Sequence, residues 1–369
     1  MITCSVIIPF HSNSNLLSAA VSALKNNLDM QDNEIILVDN NAVGSQLGEN
    51  KVEFEKFCKI ITRKENLMYP SAINLGAEYA EGQYLIFCDA DTYVGPLFHK
   101  RLTQALEKAD IGYSSAKLLD INTGAIIDFG ITSSYYNFPH PFMGRKVGFA
   151  LAQKDHTPMA ACAACSAIKR NLFYDIGGFD RKLVHSYSDI DLCLRLQARG
   201  YKTVCVSDAI AYHRGDSTAG SGMSSNLKED TKGIFMAKHP DVPVQIKTYL
   251  DAACRYFRQN HPLRKEKSEY FVMDCSTIAN PELYIDAVIG ELELKDIVRY
   301  RQPYPQRDSR NLDAMNFIPY QIRNYKTPIL YFVDRFSAFQ GNQLWKICRN
   351  GFDDIVLDRH ANIEMLKSI

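Results

Sequence analysis

The sequence has no surplus of either charge: 42 Lys and Arg residues balance 42 Asp and Glu residues. That balance removes any bulk electrostatic argument for nucleic-acid or membrane-surface binding and leaves only local patches open. No run approaches the roughly 20 apolar residues that span a bilayer. The opening segment, Met1-Ile-Thr-Cys-Ser-Val-Ile-Ile-Pro-Phe10, has no basic stretch ahead of its short apolar run. It reads as a first β-strand and not as a signal peptide. Cys162 and Cys165 form a C-x-x-C, but no second pair and no nearby histidine at zinc spacing completes a site. The small residues from Ala160 to Ala167 point to tight packing there instead. Ten cysteines in a chain of this size fit reduced thiols and a cytoplasmic setting, not a disulfide scaffold. Internal repeats and low-complexity tracts are absent as well. What remains is 369 residues at 46% apolar and 23% charged, close to globular averages, so wholesale disorder is excluded. The length fits two domains, or one large domain with an appendage.

The first hundred residues alternate between two periods. Apolar runs at Ser5–Pro9, Glu34–Val38, Lys59–Thr62 and Gln83–Cys88 read as strands. Between them, Leu17, Ala20, Val21 and Leu24 recur at helical spacing, 52–57 is a charged helical stretch, and 70–80 reads as a helix with Pro70 suited to its first turn. Helices alternating with continuously apolar strands predict a mostly parallel sheet covered on both faces. Ligands of such sheets bind outside the carboxyl ends of the strands. Those ends are Pro9-Phe10-His11, Asp39-Asn40-Asn41 and Asp89-Ala90-Asp91. A D-x-D tripeptide alone more often caps a turn. Placed directly after a buried strand, its carboxylates suit a hard divalent cation that also takes phosphate oxygens.

Beyond residue 116 the pattern changes. Lys117–Asp120 and Ala125–Phe129, joined by Asn122-Thr-Gly124, predict a hairpin. Residues 133–158, rich in aromatics, Pro and Gly, read as a long loop near a binding surface. A strand at 160–169, short helix at 171–176, helix at 189–199 ended by Gly200, and strand at 202–206 follow. His213–Ser225 is a Gly/Ser-rich loop. Residues 226–268 look helical, with interleaved Lys247, Tyr249, Arg255, Tyr256 and Arg258. Strand-like runs at 270–273, 329–333 and 354–357 then alternate with helical stretches. The expected division is a catalytic domain over 1–225, a helical connection over 226–268 and a small α/β module over 269–369.

Taken together, S-V-I-I-P-F-H-S-N (5–13), E-I-I-L-V-D-N-N (34–41), the run from Glu65 to Thr92 ending in F-C-D-A-D-T, G-G-F-D-R (177–181) and S-D-I-D-L-C-L-R-L-Q-A-R-G-Y (188–201) resemble the family-2 glycosyltransferases. The resemblance covers about 1–215 in order. It implies the GT-A fold, a Rossmann-like α/β arrangement, and a hexosyltransferase-like enzyme with a nucleoside-diphosphate-sugar donor, UDP-sugar favoured. It implies Mn²⁺ or Mg²⁺ as the cofactor and Asp89, Asp91 and His213 as its ligands, Asp91 most directly. Pro9, Asp39, Asn66, Asp89 and Asp91 are implied as donor-binding residues, with Asp39 on the nucleobase. Asp189 matches the catalytic base of inverting members. Ser188 departs from the usual Glu, which leaves the base but removes an acid from the acceptor site. Ser188 and Asp191 also have capping-box spacing, which gives Asp191 a structural duty and leaves Asp189 available.

A nucleotidyltransferase of sugar phosphates is the first rival. It calls for a Gly-rich, basic phosphate loop after the first strand, whereas His11–Leu16 holds neither Gly, Lys nor Arg. An inactive relative acting as a binding subunit is the second, and the retained acids weigh against it. Polysaccharide, lipid-linked and protein acceptors all stay open, as does peripheral contact with the inner face of a membrane; nucleic acid is not an expected partner. Tyr300, Arg301, Tyr304, Arg307 and Arg310 in a Pro-containing loop suggest that the last module positions an acceptor or a partner.

Overall fold

A computed structural model of the chain describes residues 2–11, 14–40, 47, 50–135, 137–184, 186–214, 225–261, 263, 270–278, 280–301, 327–336 and 353–365. It divides into two units, Met1–Ile131 with Arg145–Val242, and Thr132–Gly144 with Pro243–Ile369. The first contains the strands β1 (Cys4–Phe10), β2 (Asn33–Asp39), β3 (Cys58–Thr62), β4 (Tyr84–Cys88), β5 (Thr92–Val94), β6 (Ile111–Asp120), β7 (Ile126–Asp128), β8 (Cys165–Lys169) and β9 (Lys202–His213). Their order is β3-β2-β1-β4-β8-β6-β9-β5, with β7 paired to β6. β1 runs parallel to β2 and β4, and β2 to β3; β8 is antiparallel to both β4 and β6. The sheet is therefore a parallel half joined to a mixed half.

The parallel half forms because its strands are apolar on both faces. Ile7, Ile8, Ile35 to Val38 and Leu85 to Cys88 are all fully buried. Helix α1 (Ser14–Asn27) contributes Leu17, Val21 and Leu24 to that core, the stripe that the helical spacing predicts. Helix α3 (Met68–Glu78) lies behind β1, with α2 (Asn50–Phe54) preceding β3 and α4 (Phe98–Ala105) following β5. The hairpin turn is closed by Asp120, whose carboxylate accepts the N–H groups of Asn122 and Thr123, and by Gly124 at φ +66°, where a side chain would strain.

Three boundaries differ from the sequence reading. The strand expected at 160–169 begins only at Cys165. The strand read at 202–206 extends to His213 as β9, and its pairing with β6 shifts from Ala116↔Val206 to Lys117↔Ile210, so Ser207, Asp208 and Ala209 are accommodated as a bulge. β6 starts at Ile111 because buried Ser114 donates to the Leu102 carbonyl (2.9 Å) and Tyr113 bonds Ser166 (2.6 Å), which makes a polar stretch compatible with the interior. The nine described cysteines are free. Burial pushes the Cys165 thiol up to about 12 and Cys162 well above its ordinary range, so both are protonated and neither is a ready metal ligand.

The second unit has its own sheet, β11-β10-β12-β13-β14, built from β10 (Tyr270–Asp274), β11 (Ile297–Arg301), β12 (Ile329–Val333), β13 (Ile355–Asp358) and β14 (Ile363–Met365). The first four are parallel and β14 is antiparallel to β13. Helices α8 (Ile246–Asn260) and α9 (Glu282–Leu292) cover it through Leu250, Phe257, Tyr284 and Val288. Tyr300 and Arg301, read as loop residues, belong to strand β11. The reading failed there because Val298, Tyr300 and Arg301 follow no continuous apolar run. Tyr304, Arg307 and Arg310 lie outside the described residues, as do Asn41 and 215–224 of the Gly/Ser-rich stretch. Among the described residues, no helix is long and apolar enough to cross a membrane.

Candidate active site

Sheet register assembles the carboxylate cluster. Cys88 pairs with Cys165 across β4 and β8, and the next N–H, of Asp89, donates to the Ala164 carbonyl at 3.0 Å. The Thr92 N–H closes a turn on the Asp89 carbonyl at 3.0 Å, and β5 then pairs antiparallel with β9 so that Thr92 faces His213. A residue 122 positions downstream of Asp91 is thereby delivered to the D-x-D turn. The His213 Nε2 lies 3.2 Å from Asp91 and 3.5 Å from Asp89. Ligand atoms of all three lie within 4.8 Å of one another, and this is the one such group among the described residues.

The electrostatics of the cluster ask for a cation. Burial alone would discharge the His213 ring, but its hydrogen bonds and charge attraction to Asp89 and Asp91 win and raise its pKa to about 10. The metal-free site thus holds imidazolium between two carboxylates. By linkage, this raised pKa supplies stability that is complete below the unfolded value near 6.5 and lost as pH rises through about 10. The Asp89 Oδ1 is buried with no hydrogen-bond partner, which leaves a hard oxygen donor unsatisfied. Two carboxylates and one imidazole with a spare oxygen fit Mn²⁺ or Mg²⁺, and binding would displace the His213 proton.

One and two strands away from β4, the ends of β1 and β2 make the neighbouring part of the edge. Phe10 pairs with Asp39, which is buried, and half-buried Pro9 pairs with Val38. At about 4.8 Å per strand, Asp39 and Asp89 are roughly 10 Å apart across the sheet. Asn66 is fixed beside this end: its side-chain oxygen accepts from the Asn40 amide (2.9 Å) and the Met68 N–H (2.9 Å), while the Leu67 N–H donates to Asn40 (2.7 Å). Pro9, Asp39 and Asn66 therefore line one end of the edge and Asp89, Asp91 and His213 the next.

Asp189 stands half-buried in the first turn of α6 (Ser188–Ala198), and its Oδ1 accepts the Ile190 N–H at 2.9 Å. The expected Ser188–Asp191 capping box is not formed: the residue before the helix, Tyr187, sits at φ +68° and no side chain caps the turn. Asp191 instead points inward. It is fully buried and meets Arg195 (2.8 Å), Lys238 (2.7 Å) and His239 (2.8 Å). The competing attraction is visible in its ionisation. Burial would raise the Asp191 pKa, but the His239 hydrogen bond, Arg195 and Lys238 together lower it. Arg195 also donates to the carbonyls of Ile176 and Gly178 (both 2.7 Å), tying the G-G-F-D loop to α6. Gly178 has φ +66°, and a Cβ there would lie 2.7 Å from Asn74, whose amide bonds the Phe179 backbone in both directions.

Asp191→Ala is accordingly expected to destabilise the first unit by about 1–3 kcal/mol, since it removes the buried carboxylate that partly exposed Arg195, Lys238 and His239 share. Because the folded pKa of Asp191 is depressed, its contribution is present above the unfolded value near 3.9 and fades as pH falls. Urea unfolding at pH 7 and pH 3 checks both statements; the wild-type–variant gap should shrink at the lower pH.

One residue of this site escaped the sequence reading. The Tyr69 hydroxyl, in the first turn of α3, is buried without a hydrogen-bond partner, and its ring packs edge-on against Phe179 at 6.0 Å. Burial first, then the charges of Asp89 and, more weakly, Asp189 hold its pKa well above the ordinary value. Tyr69 thus lies within electrostatic reach of both the metal-ready carboxylate and the helix-borne one. Nothing in a lone tyrosine before Pro70 distinguishes it from a core aromatic.

The fold and this edge define an α/β unit with a carboxylate–histidine group suited to a cation at its strand ends. Residues 5–177, just under half of the chain, match the family described as Glycosyl transferase family 2. It is 28% identical over 219 residues to the O-antigen biosynthesis protein RfbC of Myxococcus xanthus, covering 57% of this chain and 17% of that protein. It is 32% identical over 96 residues to a poly(ribitol-phosphate) beta-glucosyltransferase of Bacillus spizizenii, covering 25% of this chain and 15% of that protein. The chain thus spans less than a fifth of the length of either relative. In fold, it resembles the crystal structure of GalNAc-T7 with UDP, GalNAc and Mn²⁺, at TM-score 0.55 and 19% identity over 88% of this chain and 58% of that one.

Proposed function

We propose that this chain transfers a sugar from a UDP-sugar to an acceptor hydroxyl with inversion, in the synthesis of a polysaccharide or glycoconjugate at the cytoplasmic side of the cell. The observation that carries the reading is the convergence of Asp89, Asp91 and His213 on the carboxyl edge of the sheet that carries the family-2 match, with an unsatisfied Asp89 oxygen among them. Relatives named for O-antigen biosynthesis and glucosyl transfer, and a similar fold named with UDP and Mn²⁺, support the same direction.

In this reading Asp39, Pro9 and Asn66 hold the nucleoside, and Asp89, Asp91 and His213 hold Mn²⁺ or Mg²⁺. A bound divalent ion supplies neutralisation of the charge that grows on the departing diphosphate. Asp189 receives the proton of the acceptor hydroxyl, which attacks the anomeric carbon from the face opposite the diphosphate. The positive end of α6 favours the ionised carboxylate that this role needs. Incubation with a panel of UDP-sugars and Mn²⁺ tests the proposal: release of UDP, suppressed by EDTA, supports it. Absence of release from every donor, with acceptor extracts present, refutes it.

The Tyr69 hydroxyl is assigned a positioning role, donating to the donor's sugar or diphosphate between Asp89 and Asp189. Tyr69→Phe is expected to reduce kcat about tenfold, the scale of one lost hydrogen bond in the transition state, while KM for the donor changes less than threefold. A variant with wild-type kcat would make Tyr69 a packing residue.

A further inference from the structure

The second unit repeats the connection pattern that creates the first unit's binding edge. In the first, β1 continues through α1 to β2 on one side, and the chain later returns to place β4 on the other side of β1. In the second, β10 continues through α9 to β11 on one side, and β12 lies on the other side of β10. Each arrangement leaves a switch point at the carboxyl ends of the strands, the place where open α/β sheets take ligands. Asp89-Ala90-Asp91 follows β4 in the first unit, and Asp334-Arg335 follows β12 in the second.

At this second edge three carboxylates hold the loops through hydrogen bonds. Asp274 accepts from the Ser276 N–H (3.0 Å) and hydroxyl (2.7 Å), and Asp334 accepts the Thr277 N–H with both oxygens (3.0 and 3.1 Å). Asp358 accepts from the N–H groups of His360 (2.9 Å) and Asn362 (3.0 Å) and from the Asn362 amide (3.0 Å). With these carboxylates fixing the loops, the guanidinium groups of half-buried Arg359 and exposed Arg335 make no ion pair among the described residues.

Next to Arg359 in the chain is a donor lacking an acceptor. His360 is 2% exposed, and its Nδ1 accepts the His140 N–H at 3.0 Å. Burial, and then the positive charges of His140, Arg359 and Arg335, hold its pKa well below the ordinary value, so the ring is neutral with its proton on Nε2. That Nε2 is buried and has no hydrogen-bond partner. Two guanidinium groups on neighbouring strand ends, without an ion pair among the described residues, and an N–H without an acceptor among them are complementary to an anion with several acceptor oxygens, and Arg grips phosphate with paired hydrogen bonds.

We propose that the carboxyl edge of the second sheet is a separate binding site for a diphosphate group, held by Arg335, Arg359 and the Nε2–H of His360. The diphosphate comes either from a nucleotide or from a phosphorylated acceptor, and two probes distinguish these sources. Calorimetric titration of the full chain with UDP and with inorganic pyrophosphate, both in EDTA, weakens binding at the metal-dependent first site at least tenfold, and the binding lost in the variants below is that of the second site. Binding of either probe is expected, weakened at least tenfold in Arg335→Ala/Arg359→Ala and in His360→Leu. The Mn²⁺-dependent UDP binding of the first unit should be unchanged in the double variant, and an unchanged circular dichroism spectrum and thermal transition establish that the second unit is folded. If that variant does not fold, Arg359→Lys, which keeps the charge but not the paired bonds, replaces it with the same expected weakening. UDP binding more tightly than pyrophosphate identifies a nucleotide; equal affinity identifies a phosphorylated acceptor. Failure of both probes to bind in EDTA, or binding unaltered in the variants, overturns the proposal.

Discussion

Asp189→Asn is expected to lower sugar transfer by about a hundredfold or more while leaving UDP binding and thermal stability unchanged. The magnitude is that of removing a general base. The separation of effects follows from local geometry. Asp189 Oδ1 accepts the Ile190 N–H at 2.9 Å, and an Asn side-chain oxygen in the same place accepts it equally well, so the first turn of α6 is undisturbed. The structural carboxylate of this helix is Asp191, which holds Arg195, Lys238 and His239. The two aspartates, two positions apart, therefore predict opposite phenotypes: an inactive, stable Asp189 variant and an unstable Asp191 variant. A stable but inactive Asp191→Asn protein beside an active Asp189→Asn protein would exchange their roles.

Asp91→Ala is expected to reduce transfer about a thousandfold, in keeping with several kcal/mol of lost charge stabilisation, and to make UDP affinity the same in Mn²⁺ as in EDTA. Asp91 is 6% exposed and lies closer to His213 than Asp89 does. Its removal takes away both a hard oxygen ligand and half of the pair that holds the His213 proton. The pKa of His213 should fall from about 10, which histidine NMR titration in the metal-free protein would follow. Mn²⁺ affinity in the wild type should rise with pH, because the ion competes with that proton. A variant that keeps metal-stimulated UDP binding would remove Asp91 from the ligand set.

The parts of this fold that were legible in the sequence are those where local pattern and burial coincide. The runs Ser5–Pro9, Glu34–Val38, Tyr84–Cys88 and Ile329–Val333 are apolar on both faces, and only strands of a covered parallel sheet have that character. The D-x-D turn was legible because it directly follows one of them. By contrast, β6 hides Ser114 and Ser115 in the interior by hydrogen bonds to residues distant in sequence. Asp191 looked like a capping residue because Lys238 and His239, which bind it, are 47 and 48 positions away in the chain. The membership of Thr132–Gly144 in the second unit is equally nonlocal: the Gln245 and Ile246 N–H groups bond the Ser133 carbonyl. The resemblance supplied the site residues, and register delivers His213 opposite Thr92; no periodicity in the intervening residues announces that pairing.

The most direct test of the central claim is calorimetric titration of UDP into the wild-type chain with Mn²⁺ and with EDTA, repeated for GDP, CDP and dTDP. The account predicts saturable binding of UDP that is at least tenfold tighter with Mn²⁺, with the metal advantage lost in Asp91→Ala. Binding of no nucleoside diphosphate under either condition, or binding indifferent to both the metal and the Asp91 substitution, would contradict it.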